Sequence, residues 1–171
     1  MSIFTRETFI PMCWQQWFVV FLGLLPLFVH AVDTDYFSLD IGQEGELLRM
    51  SEENNQQVFT LANPAKKLVV LVSVNNFSKP KDAQAFVQDR LQATDEDIVA
   101  REEKLLERGN SKQAGCEQYH LAYLKPVRQT TSVDFYLSCK RRVIVANYAL
   151  AGMQSDNVSK AKAMQKTFRL R

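Results

Sequence analysis

The sequence predicts an α+β fold, a mostly antiparallel sheet with helices packed on it as an αβα sandwich. Three observations carry that expectation. Cys116 to Leu150 reads CEQYHLAYL, a short connection, TSVDFYLSC, a tight Lys140-Arg141 turn, and RVIVANYAL. Such runs of β-branched and aromatic residues between short polar joints describe an antiparallel meander. Lys67 to Val74 (KLVVLVSV) is nearly continuously apolar, the pattern of a central strand covered on both faces. Two further stretches place apolar residues at helical spacing: Ala83, Phe86, Val87 and Leu91, and Val158, Ala161, Met164 and Phe168.

Residues 1–31 read as a secretory signal peptide. Arg6 is the positive side chain before the apolar run Trp17 to Val29, and Val29-His30-Ala31 ends on a small residue, so cleavage is expected after Ala31. Gly23 and Pro26 interrupt the run, which falls short of the roughly 20 residues a membrane span needs; an uncleaved anchor is the alternative. Cys13 precedes the apolar run and is expected to be lost with the leader. Residues 32–171 then form a single α+β domain, long enough to bury a core of its own.

In that domain Val32 to Asp35 is a polar lead-in. Tyr36 to Ile41 alternates as a strand, Gly42 to Gly45 turns, and Glu46 to Met50 returns as a second strand. Ser51 to Gln56 is a polar turn, and Gln57 to Leu61 a third strand stopped by Asn63-Pro64. Pro80 suits the first turn of a helix over Lys81 to Ala93, and Asp95-Glu96-Asp97 breaks the pattern. Ile98 to Arg108 fits an exposed helix or strands, and Gly109-Asn110 reads as a turn. Gly152 to Asp156 is a loop in which Ser155 or Asp156 can cap the last helix.

The meander holds Cys116 and Cys139, the two cysteines outside the leader. Centring the connection Lys125 to Thr130 gives hairpin partners that sum to 255, which sets Cys116 opposite Cys139. Cysteines on neighbouring strands meet the Cα separation of about 5.5 Å that a disulfide needs. Matching the apolar faces Tyr119-Leu121-Tyr123 and Val133-Phe135-Leu137-Cys139 asks instead for an even sum, reconciled by a bulge near Gly115 or Ser138. At a sum of 254, His120 lies opposite Asp134 with Ser132 and Ser138 nearby. That pair is the one candidate for catalysis, although no serine sits in a strained nucleophile turn.

Other chemistry is sparse. Outside the leader, one histidine and a cysteine bridge leave no transition-metal set, and the few glycines form no phosphate cradle, so no cofactor is expected. Asp95, Glu96 and Asp97 lack the spacing of a calcium loop. Asn76-Phe77-Ser78 and Asn157-Val158-Ser159 match the glycosylation sequon. Charge is unevenly spread: residues 82–107 carry eight acids and three bases, a net of −5, while residues 140–171 carry eight bases and one acid, a net of +7. Opposed charges suit oriented association with a partner, and Lys140, Arg141 and Arg142 at a hairpin tip are the candidate contact. Nucleic acid is not an expected partner, because the basic helix has no interleaved aromatics.

The opening YFSLDIG, the strand KLVVLVSV feeding DAQAFVQDRLQ, the Gly115 entry to CEQYHLAYL, the pair FYLSC and VIVANYAL, and the helix SDNVSKAKAMQKTF follow one element order. In that order the chain resembles the PsbP/Mog1/DcrB-like superfamily. The resemblance implies a non-enzymatic role in binding another protein, and it assigns no functional residue. With the leader and the bridge, the expectation is a periplasmic protein-binding module, an accessory or adaptor of an envelope or secretion assembly. A periplasmic immunity protein that neutralises a toxin is one alternative, and a small hydrolase using His120 and Asp134 is the other.

Overall fold

The computed structural model describes residues 31–53, 56–113 and 115–171. The expected leader, apart from Ala31, and Cys13 within it lie outside the described residues. The strands are β1 (Ala31–Asp33), β2 (Phe37–Asp40), β3 (Glu46–Glu53), β4 (Gln56–Asn63), β5 (Leu68–Asn76), β6 (Lys104–Gln113), β7 (Cys116–Lys125), β8 (Thr130–Cys139), β9 (Arg142–Ala151) and β10 (Arg169–Leu170). Helix α1 spans Pro80–Ala100 and α2 spans Asp156–Gln165. Strands β3 to β9 form one antiparallel sheet in the order β3-β4-β5-β9-β8-β7-β6, and β1-β2-β10 form a second, smaller one. The architecture is an α+β sandwich: α1 covers one face of the large sheet, and α2 with the small sheet covers the other.

Both faces of β8 and β9 are buried, which explains two apolar faces on each meander strand. Val133, Phe135, Leu137, Ile144, Ala146 and Tyr148 point into the core shared with α2 and the small sheet. Leu121, Tyr123, Tyr136, Val143 and Val145 point to the α1 side, where they meet Ala83, Val87 and Ile98. Since the two faces of a strand serve different cores, no bulge is needed between β7 and β8. Their partners sum to 255 throughout, from Lys125↔Thr130 to Glu117↔Ser138. Aromatic contacts fasten the small sheet: the Phe37 ring lies 5.1 Å from Phe59 and 5.2 Å from Phe168.

Several expectations are corrected. Strand β5 is covered on one face only: Val70, Val72 and Val74 are buried while Val69 and Leu71 stay exposed, because α1 lies over β7 to β9 and leaves β3 to β5 open. Val32 to Asp35 is not merely a lead-in, for Val32 pairs with Leu39 and is 9% exposed. The helix expected to end at Ala93 runs on to Ala100, and Ile98 is the buried residue of its last turns. Glu102, with φ of +54°, reverses the chain there without glycine. Gly109-Asn110 is no turn: both lie inside β6, paired with His120 and Tyr119. Ser155 flanks α2 but makes no side-chain capping bond.

Candidate functional site

The hairpin β8–β9 closes in two residues, with Cys139 paired to Arg142 and Lys140 at φ +56°. A disulfide joins Cys116 to Cys139 across a Cα separation of 4.7 Å, continuing the β7–β8 register by one step. The bridge fixes the base of the tip to β7, and the backbone N–H of Phe77 donates to the Arg141 carbonyl at 2.7 Å. Arg142 Nε donates to Asn76 Oδ1 at 3.2 Å. Lys140 and Arg141 are exposed and Arg142 half-buried, and none of the three forms an ion pair among the described residues. They rim a shallow depression of about 440 Å³ floored by Phe77, Cys139 and Leu170. The structure therefore presents three uncompensated cations together on an anchored tip.

His120 and Asp134 are not brought together. The register pairs His120 with Phe135 and Leu121 with Asp134, so the two side chains leave opposite faces of the sheet. His120 Nε2 lies 3.1 Å from Glu107 Oε1, and Lys162 Nζ on α2 donates to that same oxygen. These two partners hold the Glu107 carboxyl below its ordinary range. On the α1 side, Tyr123 donates its hydroxyl to Asp134 Oδ2 at 2.9 Å, and the side chain of Asn147, its registered partner on β9, favours the charged carboxyl. Burial is the larger influence and raises Asp134 above the usual carboxylate range. Asp134 forms part of the floor of a cleft of about 360 Å³ between α1 and the open half of the sheet. Ser132 is buried, and with His120 and Asp134 on opposite faces of the sheet the two do not form a hydrolase pair.

The remaining candidates resolve as follows. Asp95 pairs with Arg108 and Asp97 with Arg101, so the acidic triple lies on α1 and is partly neutralised by bases. Asn157 is 4% exposed and donates to the Ala151 and Gly152 carbonyls, which removes it as a glycan acceptor, whereas Asn76 is exposed. Sequence reasoning missed Glu107, Lys162, Tyr123 and Asn147 as partners of the histidine and the acid. They come from three strands and a helix, and no local spacing announces them.

With this geometry the chain falls in the class of α+β sandwich proteins with a disulfide-tied meander. Compared with solved structures, it has a PsbP-like fold. It is similar to the solution structure of cyanobacterial PsbP (CyanoP) from Synechocystis sp. PCC 6803, with 12% identity, a TM-score of 0.54, and coverage of 79% of this chain and 86% of that one. A crystal structure from Bacteroides thetaiotaomicron VPI-5482 aligns at 13% identity and a TM-score of 0.48, over 79% of this chain and 45% of that one. No protein-family model matches the chain, and no curated protein matches it.

Proposed function

We propose that this chain is an exported, non-enzymatic module that binds another protein, and that the Lys140-Arg141-Arg142 tip makes the contact. The observation that supports it is the tip itself: three cations with no acidic partner among the described residues, on a hairpin tied to β7 by the Cys116–Cys139 bridge. Exposed unpaired cations steer an acidic partner and set its orientation. The bridge favours an oxidising compartment. With residues 1–31 acting as a cleaved leader, the site of action is the periplasm and the partner a component of an envelope or secretion assembly. The PsbP-like fold is compatible with this role and does not by itself assign it.

Capture from the envelope fraction tests the reading. The parent protein should retain a specific acidic partner, lost in the Lys140→Glu, Arg141→Glu, Arg142→Glu variant and weakened by salt. Equal capture by both proteins removes the tip, and no specific partner removes the reading. A partner that proves to be a toxin inactivated on binding favours the immunity alternative. Mass spectrometry of the exported protein should find Val32 as its first residue.

A further inference from the structure

A second surface lies at the other end of the strands from the basic tip. The turn Pro64 to Lys67, between β4 and β5, faces α2 across an open groove of about 500 Å³. Leu68, Leu150, Ala163 and Met164 make its apolar lining, and Lys66, Lys67 and Lys160 stand around it. The turn is rigid. Asn63, 1% exposed, donates to the Ile41 carbonyl and accepts from the Lys66 backbone N–H, at 2.9 Å each. Lys67 has φ of +49°, and its carbonyl accepts from Ala151 N–H at 3.1 Å, which ties the turn to the end of β9. Lys66 and Lys67 are exposed and form no ion pair among the described residues, while Lys160 shares Asp156 at 3.0 Å. The groove thus joins an apolar seat to a turn whose backbone is held and whose two lysines have no ion-pair partner among the described residues. The Lys66 ammonium rests against Gly42, on the rim of the turn, and a turn already ordered lowers the cost of binding.

We propose that this groove docks an acidic segment of a partner protein, seating one apolar side chain over Met164 and Ala163 and placing flanking carboxylates against Lys66 and Lys67. Charge complementarity selects an anionic occupant. The groove is open and Ala163 on it is exposed, which suits a single side chain entering from above and covered by its own backbone. The inference rests on the protein-binding reading only for the kind of partner.

The test needs no natural partner. The protein, labelled at alanine and methionine methyls, is titrated with a blocked hexapeptide of two leucines flanked by four glutamates. Saturable shifts at Met164 and Ala163 are expected, weakened about tenfold or more in the Lys66→Glu, Lys67→Glu variant and unchanged in the Lys140→Glu, Arg141→Glu, Arg142→Glu variant. Lys66, Lys67, Lys140 and Arg141 are exposed and Arg142 is half-buried, and an unchanged far-ultraviolet spectrum establishes that the variants fold. No shift, or equal shifts with glutamines in place of the glutamates, overturns the proposal. Shifts seen only with phosphatidylglycerol vesicles overturn it in favour of a membrane surface. If the peptide binds while no partner is captured from the envelope fraction, the groove stands and the reading proposed above falls; if a partner is captured while the peptide does not bind, the groove alone is removed.

Discussion

The imidazole of His120 lies over Gly109, its registered partner on β6, so closely that a β-carbon at 109 would stand 2.6 Å from Cε1. The ring has little room to yield. Phe135 stacks on it at 5.9 Å, and Glu107 holds Nε2 at 3.1 Å. Gly109→Ala should therefore destabilise the fold by about 1–3 kcal/mol, the usual cost of overpacking. The backbone at 109 is not in the left-handed region, so the penalty belongs to the ring alone. In a His120→Ala background the same change should become neutral or stabilise by about 0.5–1 kcal/mol, because alanine restricts the unfolded chain. Denaturant melts of the four proteins of this cycle check it. A penalty that survives the loss of His120 places the strain elsewhere.

That pair also shows where the sequence is legible and where it is not. Glycine followed by asparagine is a turn signal, and nothing local announces that a ring from the next strand needs the space. The meander, the Lys140-Arg141 turn and the cysteine pair were legible. The register was open between two sums, since the centre of the connection Lys125 to Thr130 gives the observed one while the apolar faces point to the other, each face of β7 and β8 serving a different core. The end of α1 was hidden because Glu102 reverses the chain where glycine or proline is the readable stop. For β5, a continuous apolar run reads as cover on both faces, yet one helix spans only part of a seven-stranded sheet and Val69 and Leu71 remain open. The basic tip was readable as three consecutive residues. The Lys66–Lys160 groove was not, because its sides come from segments about ninety residues apart.

The extended helix makes a sharp contrast between neighbours. Ile98 is 6% exposed and packs with Val87 and Tyr123, whereas Val99 is 79% exposed. Ile98→Ala should cost about 2–5 kcal/mol, and Val99→Ala should stay within about 0.5 kcal/mol. Were the segment a loop after Ala93, no such ordering would be expected. Equal costs, measured by urea melts, count against α1 reaching Ala100.

The disulfide closes a segment with a sequence separation of 23. In the chain-entropy model this stabilises the fold by about 3 kcal/mol, lost on reduction or in the Cys116→Ser, Cys139→Ser variant. For a domain of this size the midpoint of thermal unfolding should fall by roughly 10 °C. Reductant should lower the parent midpoint and leave the serine variant unmoved. The reduced protein should also present the basic tip less firmly, so the partner captured by the parent should be retained less well at temperatures where the fold is intact. A midpoint insensitive to reductant excludes the bridge as a stabilising element.

Asp134 predicts a pH dependence of the less common sign. Burial, the largest influence, raises its folded-state value above the ordinary 3.8; Asn147, Tyr123 and Lys125 act in the opposite direction, and Glu103 adds to the rise. A carboxyl with a raised folded value binds its proton more tightly in the folded state. Its contribution is fully present below the unfolded value and is lost as pH rises through the folded one. Asp134→Asn keeps the shape and an acceptor for the Tyr123 hydroxyl while removing the charge. The variant should match the parent near pH 3, gain on it as pH rises above the ordinary 3.8, and hold that advantage once the folded value is passed. Glu107→Gln supplies the opposite sign within the same fold. Its carboxyl is depressed first by Lys162 and then by His120, so its contribution is present above the ordinary 4.5 and is lost on acidification. Chemical denaturation of the three proteins from about pH 3 to pH 8 separates the two carboxyls. If Asp134→Asn instead loses stability relative to the parent as pH rises, the carboxyl is charged in the fold, and Asn147, Tyr123 and Lys125 together outweigh its burial.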